Sequence, residues 1–295
     1  MGKTHEALER AQKEYQDNWL ETSTIERIVR KEIKKPSELC ECWMTELGGR
    51  VLELDPNTSN DRSVAERVSE CKLIDYYKVL RSQILKKLSR IGKRTILVTS
   101  SLAGEGKSLT ALNLAISFTK VIDLCVVLVE ADLRRPVLQK YLGFSPSLNG
   151  LTDYLLDGVP INELLVNSGI PKLYLLPAGK STSDSAELLG SERMKQLIED
   201  FTRLCKNCYI IFDTPSLLEY PDTLVFSEIV DEVLMVVGAE TTPLERILEA
   251  QEKMKDRNLL GFVLNKVNFS DRAKHNNIRN SLKKALKELR RSATE

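Results

Sequence analysis

Two glycines, a lysine and a hydroxyl at fixed spacing can hold a triphosphate, and Ser100-Ser101-Leu102-Ala103-Gly104-Glu105-Gly106-Lys107-Ser108 has that arrangement. The glycines let backbone N–H groups turn inward around an anion. Lys107 places a point charge between β- and γ-phosphates, and Ser108 offers an oxygen ligand to Mg2+. The strict pattern has glycine where this chain has Ser101. Carboxylates follow two other apolar runs: Glu130 and Asp132 after Val127-Leu128-Val129, and Asp213 after Ile210-Ile211-Phe212. An acid beside a phosphate loop holds Mg2+, commonly through water, and the ion neutralises charge on a transferred phosphoryl group. A single Asp at a strand end could simply cap the next helix. Three acids at two strand ends, together with Lys107 and Ser108, point instead to Mg2+-dependent nucleoside triphosphate chemistry. A dinucleotide site is excluded at this turn, because it lacks G-x-G-x-x-G.

These residues need elements to position them. Thr95–Thr99 is β-branched and apolar, as a strand requires, and Leu109–Ile116 reads as the helix that follows the loop. Further strands are expected at Cys125–Val129, Leu173–Pro177, Tyr209–Phe212, Glu232–Val237 and Leu259–Leu264. Helices are expected from Ile74, over Ala186–Cys205 and over Pro243–Arg257, with short helices and turns between Val137 and Val166. Continuously apolar strands alternating with helices predict an α/β fold: a mostly parallel sheet covered on both faces, with ligands at the carboxyl ends of the strands.

Three regions follow. Residues 1–70 read as a helical N-terminal arm and linker, with thin apolar stripes, a stop at Pro36 and one short strand at Arg50–Leu54. Residues 71–271 form the phosphate-loop domain. In residues 272–295, Ile278, Leu282, Ala285, Leu286 and Leu289 recur at helical spacing among Arg279, Lys283, Lys284, Lys287, Arg290 and Arg291. Such a basic amphipathic helix can lie on an anionic membrane, dock on a partner or pack on its own domain.

The 295 residues are 42% hydrophobic and 29% charged, and the formal net charge of +1 gives no global field toward nucleic acid. No apolar run approaches the ~20 residues of a membrane-spanning helix. With no export signal either, the expected location is the cytoplasm, with six cysteines as reduced structural thiols.

The motifs together resemble the bacterial tyrosine kinases, the autokinases of polysaccharide biosynthesis. The loop Ser100–Ser108, Val127-Leu128-Val129-Glu130-Ala131-Asp132-Leu133-Arg134-Arg135-Pro136 and Ile210-Ile211-Phe212-Asp213-Thr214-Pro215 are similar to that family's three motifs. So are Pro177-Ala178-Gly179, Ala186–Ser191 and Val263-Leu264-Asn265-Lys266. The implied fold is that of MinD/ParA-type P-loop NTPases, although the extra lysine of those ATPases would fall at Leu102. The resemblance implies ATP contacts from Gly104, Glu105, Gly106, Lys107, Ser108 and Leu109, and a contact from Asn265 to the base; a strand-end turn role for Asn265 is nearly as well supported. It implies Mg2+ at Ser108, Asp132 and Asp213, and Glu130, where the family usually has Asp, receiving the tyrosine hydroxyl proton. Asp75, Lys78 and Arg81 would mediate homo-oligomerisation; a solvated helix face is the other reading. A membrane-embedded polysaccharide co-polymerase would be the activating partner, holding the protein at the inner face of the membrane. The family's C-terminal tyrosine cluster has no counterpart, since the last tyrosine is Tyr220. Two functions therefore stand: a protein-tyrosine (auto)kinase of exopolysaccharide or capsule export, or a MinD/ParA-like ATPase switch on that machinery.

Overall fold

The computed structural model describes residues 74–88, 94–144, 148–204, 207–239 and 241–267. The expected N-terminal arm with its Arg50–Leu54 strand, and the 272–295 tail, lie outside the described residues. Strands β1 (Thr95–Ser100), β2 (Cys125–Glu130), β3 (Val166–Asn167), β4 (Leu173–Leu176), β5 (Cys208–Asp213), β6 (Glu232–Gly238) and β7 (Leu259–Asn265) form one sheet in the order β3-β4-β2-β5-β1-β6-β7. Every pairing is parallel except β3 with β4. Two-residue β3 carries too little apolar pattern to be legible in sequence.

Burial on both sides explains the unbroken apolar runs. Ile96, Val98, Val126, Leu128, Ile211, Leu234 and Val236 pack in one cluster with α1 (Ile74–Leu88) and α2 (Lys107–Phe118) through Ile84, Leu88, Leu112 and Ala115. The alternate residues Leu97, Val127, Ile210, Phe212, Val233 and Met235 are equally buried on the opposite face. There Phe212 meets Phe226 of α8 (Asp222–Phe226) edge-on, with ring centroids 4.9 Å apart. Between β2 and β4 come α3 (Leu138–Leu142), α4 (Leu151–Asp157) and α5 (Ile161–Leu164). The helix expected over Ala186–Cys205 is two, α6 (Ser185–Leu189) and α7 (Glu192–Leu204). They part at Gly190, where a Cβ would stand 2.6 Å from a Val225 methyl. Helix α9 (Leu244–Lys253) joins β6 to β7.

Helix α1 is tied down by polar contacts as well as by its apolar stripe. Arg81 donates to the Ser117 carbonyl near the end of α2 (2.5 Å), the Ser117 hydroxyl donates to the Tyr77 carbonyl (3.2 Å), and Lys87 donates to the Leu260 carbonyl (3.1 Å). Among the described residues no helix is long and apolar enough to cross a membrane.

One expectation is corrected. Cys125 and Cys208 are not free thiols but form a disulfide. They are Cα partners at the first positions of β2 and β5, with Cα atoms 4.7 Å apart. The parallel register brings together two side chains 83 residues apart in sequence, a proximity that spacing cannot reveal.

Candidate active site

Because β1, β2, β5, β6 and β7 run the same way, Ser100, Glu130, Asp213, Gly238 and Asn265 all end at one edge of the sheet. Residue pairs Glu130–Asp213 and Gly238–Asn265 are adjacent in register. The phosphate loop leaves central β1 at this edge and enters α2. Its helix N-cap, Gly106, has φ 93° and no side chain caps the first turn, so the turn's amides are open to an anion. A Cβ on Gly106 would lie 2.2 Å from Asn265 Nδ2. Glycine is therefore required both by the left-handed backbone and by the neighbouring strand end.

The loop is braced from several sides. Asn265 Nδ2 donates to the Glu105 carbonyl at 2.8 Å. The Glu105 carboxylate, 2% exposed, accepts from the Leu102 amide at 2.7 Å, from the Gly238 amide at 3.0 Å and from the Thr242 hydroxyl. Glu219, in the turn after β5, accepts from the Ala103 amide at 2.9 Å. Thus the Glu105 side chain faces the β6 end. Any phosphate contact it makes falls to its backbone. The Asn265 amide nitrogen is engaged with the loop, and the residue also lines an apolar groove of about 440 Å3 formed with Tyr76, Tyr77, Leu80 and Phe262. Leu109, one turn into α2, is partly exposed.

The expected charge cluster is assembled. Lys107 Nζ lies 2.8 Å from Asp132 Oδ2, 3.2 Å from Ser108 Oγ and 4.0 Å from Asp213 Oδ1. Burial disfavours the ammonium, but Asp213, Asp132 and Glu130 outweigh it and hold the Lys107 pKa above its ordinary value. Asp213 is completely buried; neither oxygen makes a short hydrogen bond, and its neighbours are the Ser108 hydroxyl and the Lys107 ammonium at 4.0 Å. Burial pushes its carboxyl up to about 6, against the pull of Lys107. A buried carboxylate with so few donors is expensive unless a cation meets it. Together with the Ser108 hydroxyl and Asp132, it forms a hard oxygen donor set that suits Mg2+. Among the described residues no three His, Cys, Asp or Glu side chains are arranged to hold a metal by themselves. Mg2+ keeps several waters and takes phosphate oxygens, so it needs only one or two carboxylates.

Glu130 sits differently from the sequence expectation. One carboxylate oxygen, Oε1, accepts from the Val137 and Leu138 amides at the start of α3. Only Oε2, buried and without a partner, is left for chemistry. Burial, with the Asp213 and Asp132 charges adding to it, raises the carboxyl to about 7 despite the two amides. The glutamate side chain is long enough to reach the helix start. Asp75 and Lys78 pair with each other at 2.9 Å on the exposed face of α1, whereas Arg81 is engaged inward by α2. The structure does not bring these three residues to the site. Sequence reasoning missed Glu219, Thr242 and Gly106's contact with Asn265. The first two lie in turns whose sequence carries no periodic signal.

Comparison with known proteins fits this geometry. No family model matches the chain. Tyrosine-protein kinase YwqD of Bacillus subtilis is 30% identical over 193 residues, 65% of this chain and 80% of that protein. The kinase domain of VpsO superposes with a TM-score of 0.60 at 28% identity, covering 69% of this chain and 98% of that one. A chain of the MinC:MinD cell division complex of Aquifex aeolicus, 24% identical, covers 60% of this chain and 70% of its own length with a TM-score of 0.50, a likeness of fold. The fold is that of a MinD/ParA-like P-loop NTPase. The chain belongs to the bacterial tyrosine-protein kinases.

Proposed function

We propose that the chain is an ATP-dependent protein-tyrosine kinase serving exopolysaccharide or capsule biosynthesis and export. The observation that carries the proposal is the Lys107 ammonium, held between Asp132 and Asp213 at the uncapped start of α2. On nucleotide binding, Lys107 exchanges its carboxylate contact for β- and γ-phosphate oxygens, and the first-turn amides of α2 hold the phosphates. Ser108, Asp132 and Asp213 would hold Mg2+, which would supply charge neutralisation at the transferred phosphoryl oxygens. The acceptor tyrosine hydroxyl attacks the γ-phosphorus in line, the bond from that phosphorus to the bridging oxygen breaks so that ADP leaves, and the hydroxyl proton passes to a carboxylate. Oε2 of Glu130 is the free oxygen whose carboxyl, at about 7, is tuned for that task. Asn265 braces the loop and stands where it also meets the nucleotide base. Most of the rate enhancement is electrostatic, from groups already fixed before reaction.

Oligomerisation through α1 would use its outer face, where Asp75, Tyr76, Lys78 and Val79 are exposed, rather than Arg81. The activating partner would be a membrane-embedded polysaccharide co-polymerase, which holds the kinase at the inner membrane face with help from residues 272–295.

Purified protein incubated with ATP and Mg2+, with and without a tyrosine-containing copolymer, tests the function by mass-spectrometric mapping of phosphotyrosine. Phosphotyrosine that disappears in Lys107→Met is expected. ATP hydrolysis with no phosphotyrosine on either molecule would replace the kinase by an ATPase switch. Undiminished transfer by Lys107→Met would overturn the site.

A further inference from the structure

A further frame of side chains surrounds the Lys107–Asp132 pair. Asp132 binds Lys107 through Oδ2, while its Oδ1 accepts from the Arg135 amide at 3.0 Å. The turn carrying Arg134 and Arg135 is therefore fixed directly beside the Lys107–Asp132 pair. Across from it runs the segment after β5, anchored to the rim of the phosphate loop by Glu219 on the Ala103 amide. The next residue, Tyr220, closes the gap. Its ring carries the Arg134 guanidinium at 4.7 Å from the centroid and the Arg135 guanidinium at 6.0 Å. Loop rim, Glu219, Tyr220, Arg135 and Asp132 thus border the approach to Lys107.

The two arginines are not equivalent. Arg134 Nε is held by both oxygens of fully buried Asp222, at 3.1 and 3.3 Å, so its charge is neutralised and its role is to fix the turn. Arg135 is exposed and, among the described residues, has no carboxylate partner. Its guanidinium faces the Tyr220 ring at 6.0 Å from the centroid. A guanidinium supported by an aromatic ring and without a carboxylate keeps its fork of donors available, the form suited to a carboxylate.

We infer that Arg135, supported by the Tyr220 ring, is the acceptor-recognition residue of this site and selects tyrosines flanked by acidic residues. The inference rests on the kinase function proposed above. An acceptor tyrosine reaching the Lys107–Asp132 pair passes between Glu219 and Arg135. A neighbouring carboxylate on the same strand of substrate then meets Arg135, while a neighbouring lysine is repelled by it.

The test uses the full chain with Mg2+ and ATP and two synthetic peptides, identical except that glutamates or lysines flank one tyrosine. The parent protein should favour the glutamate peptide in kcat/KM. Arg135→Glu should lower the glutamate-to-lysine ratio by roughly tenfold, through the peptide KM, since two exposed charge contacts change sign. Arg135→Lys should keep most of the preference, and high salt should erase it in the parent. A purely structural role for Arg135 would depress both peptides alike and leave the ratio in place, and a ratio unchanged within about twofold in Arg135→Glu overturns the inference. A parent that phosphorylates both peptides equally also overturns it while leaving the kinase function standing. A parent that hydrolyses ATP but phosphorylates neither peptide removes the kinase function and this subsite with it.

Discussion

Replacing Glu130 with glutamine separates what that residue does for the fold from what it does for the reaction. Its carboxyl is fully buried on β2 and raised from 4.5 to about 7 by burial, with two acidic neighbours adding to the shift and two amides opposing it. A carboxyl with a folded pKa above its unfolded value binds more protons in the folded state across that interval. Stability from this group therefore falls as pH rises from about 4.5 to about 7 and is flat above. The shift of about 2.5 units (7 − 4.5), at about 1.36 kcal/mol per unit, sets an upper limit near 3 kcal/mol. Glutamine keeps an acceptor for the Val137 and Leu138 amides and removes the charge. Relative to the parent, nucleotide-free Glu130→Gln should gain up to about 3 kcal/mol between about pH 5 and pH 8, a melting-temperature difference of roughly 6–12 °C for a domain of this size. The added NH2, buried where Oε2 lacks a partner, costs the same at both pH values. The diagnostic quantity is thus the change in the difference, read by circular dichroism in the absence of Mg2+. An identical parent-to-variant difference at both pH values would refute the buried-charge argument. In the same variant phosphotyrosine formation should drop about 10²–10⁴-fold, as for loss of a general base. Retained transfer would place the proton elsewhere.

Two further outcomes follow from single contacts. Gly106→Ala places a methyl 2.2 Å from Asn265 Nδ2 on a backbone at φ 93°, so nucleotide affinity should fall more than about tenfold. Adding Asn265→Ala should recover part of the loss in a fluorescent-nucleotide titration, and unaltered binding by the single variant would deny the close packing. Reduction of the Cys125–Cys208 bond, or Cys208→Ser, should lower stability by up to about 4 kcal/mol, since the bond closes a long loop. Denaturant titration with and without reductant measures this. Nucleotide affinity should change little, because both cysteines start strands whose other ends carry the site.

The sequence by itself determined the parallel α/β fold and the identity of the phosphate loop. Both rest on local patterns: apolar runs of strand length, and glycine, lysine and serine at fixed offsets. It also put Asp132 and Asp213 at strand ends beside the loop as acids for Mg2+, because parallel strands deliver their ends to one edge; their contacts with Lys107 come from the fold. What it could not supply depends on contacts between segments far apart in the chain. Register alone joins Cys125 to Cys208 and sets Asn265 against Gly106. The length of the glutamate side chain takes Glu130 Oε1 to the start of α3. Arg81 looks like a free surface cation in sequence, yet the crossing of α1 over α2 gives it the Ser117 carbonyl. Arg134 and Arg135 are adjacent and chemically alike, and only the fold divides them: buried Asp222 captures one, and the other is left at the mouth of the site. Local chemistry specifies which groups can react. Packing across the sheet edge decides which of their atoms are free to do so.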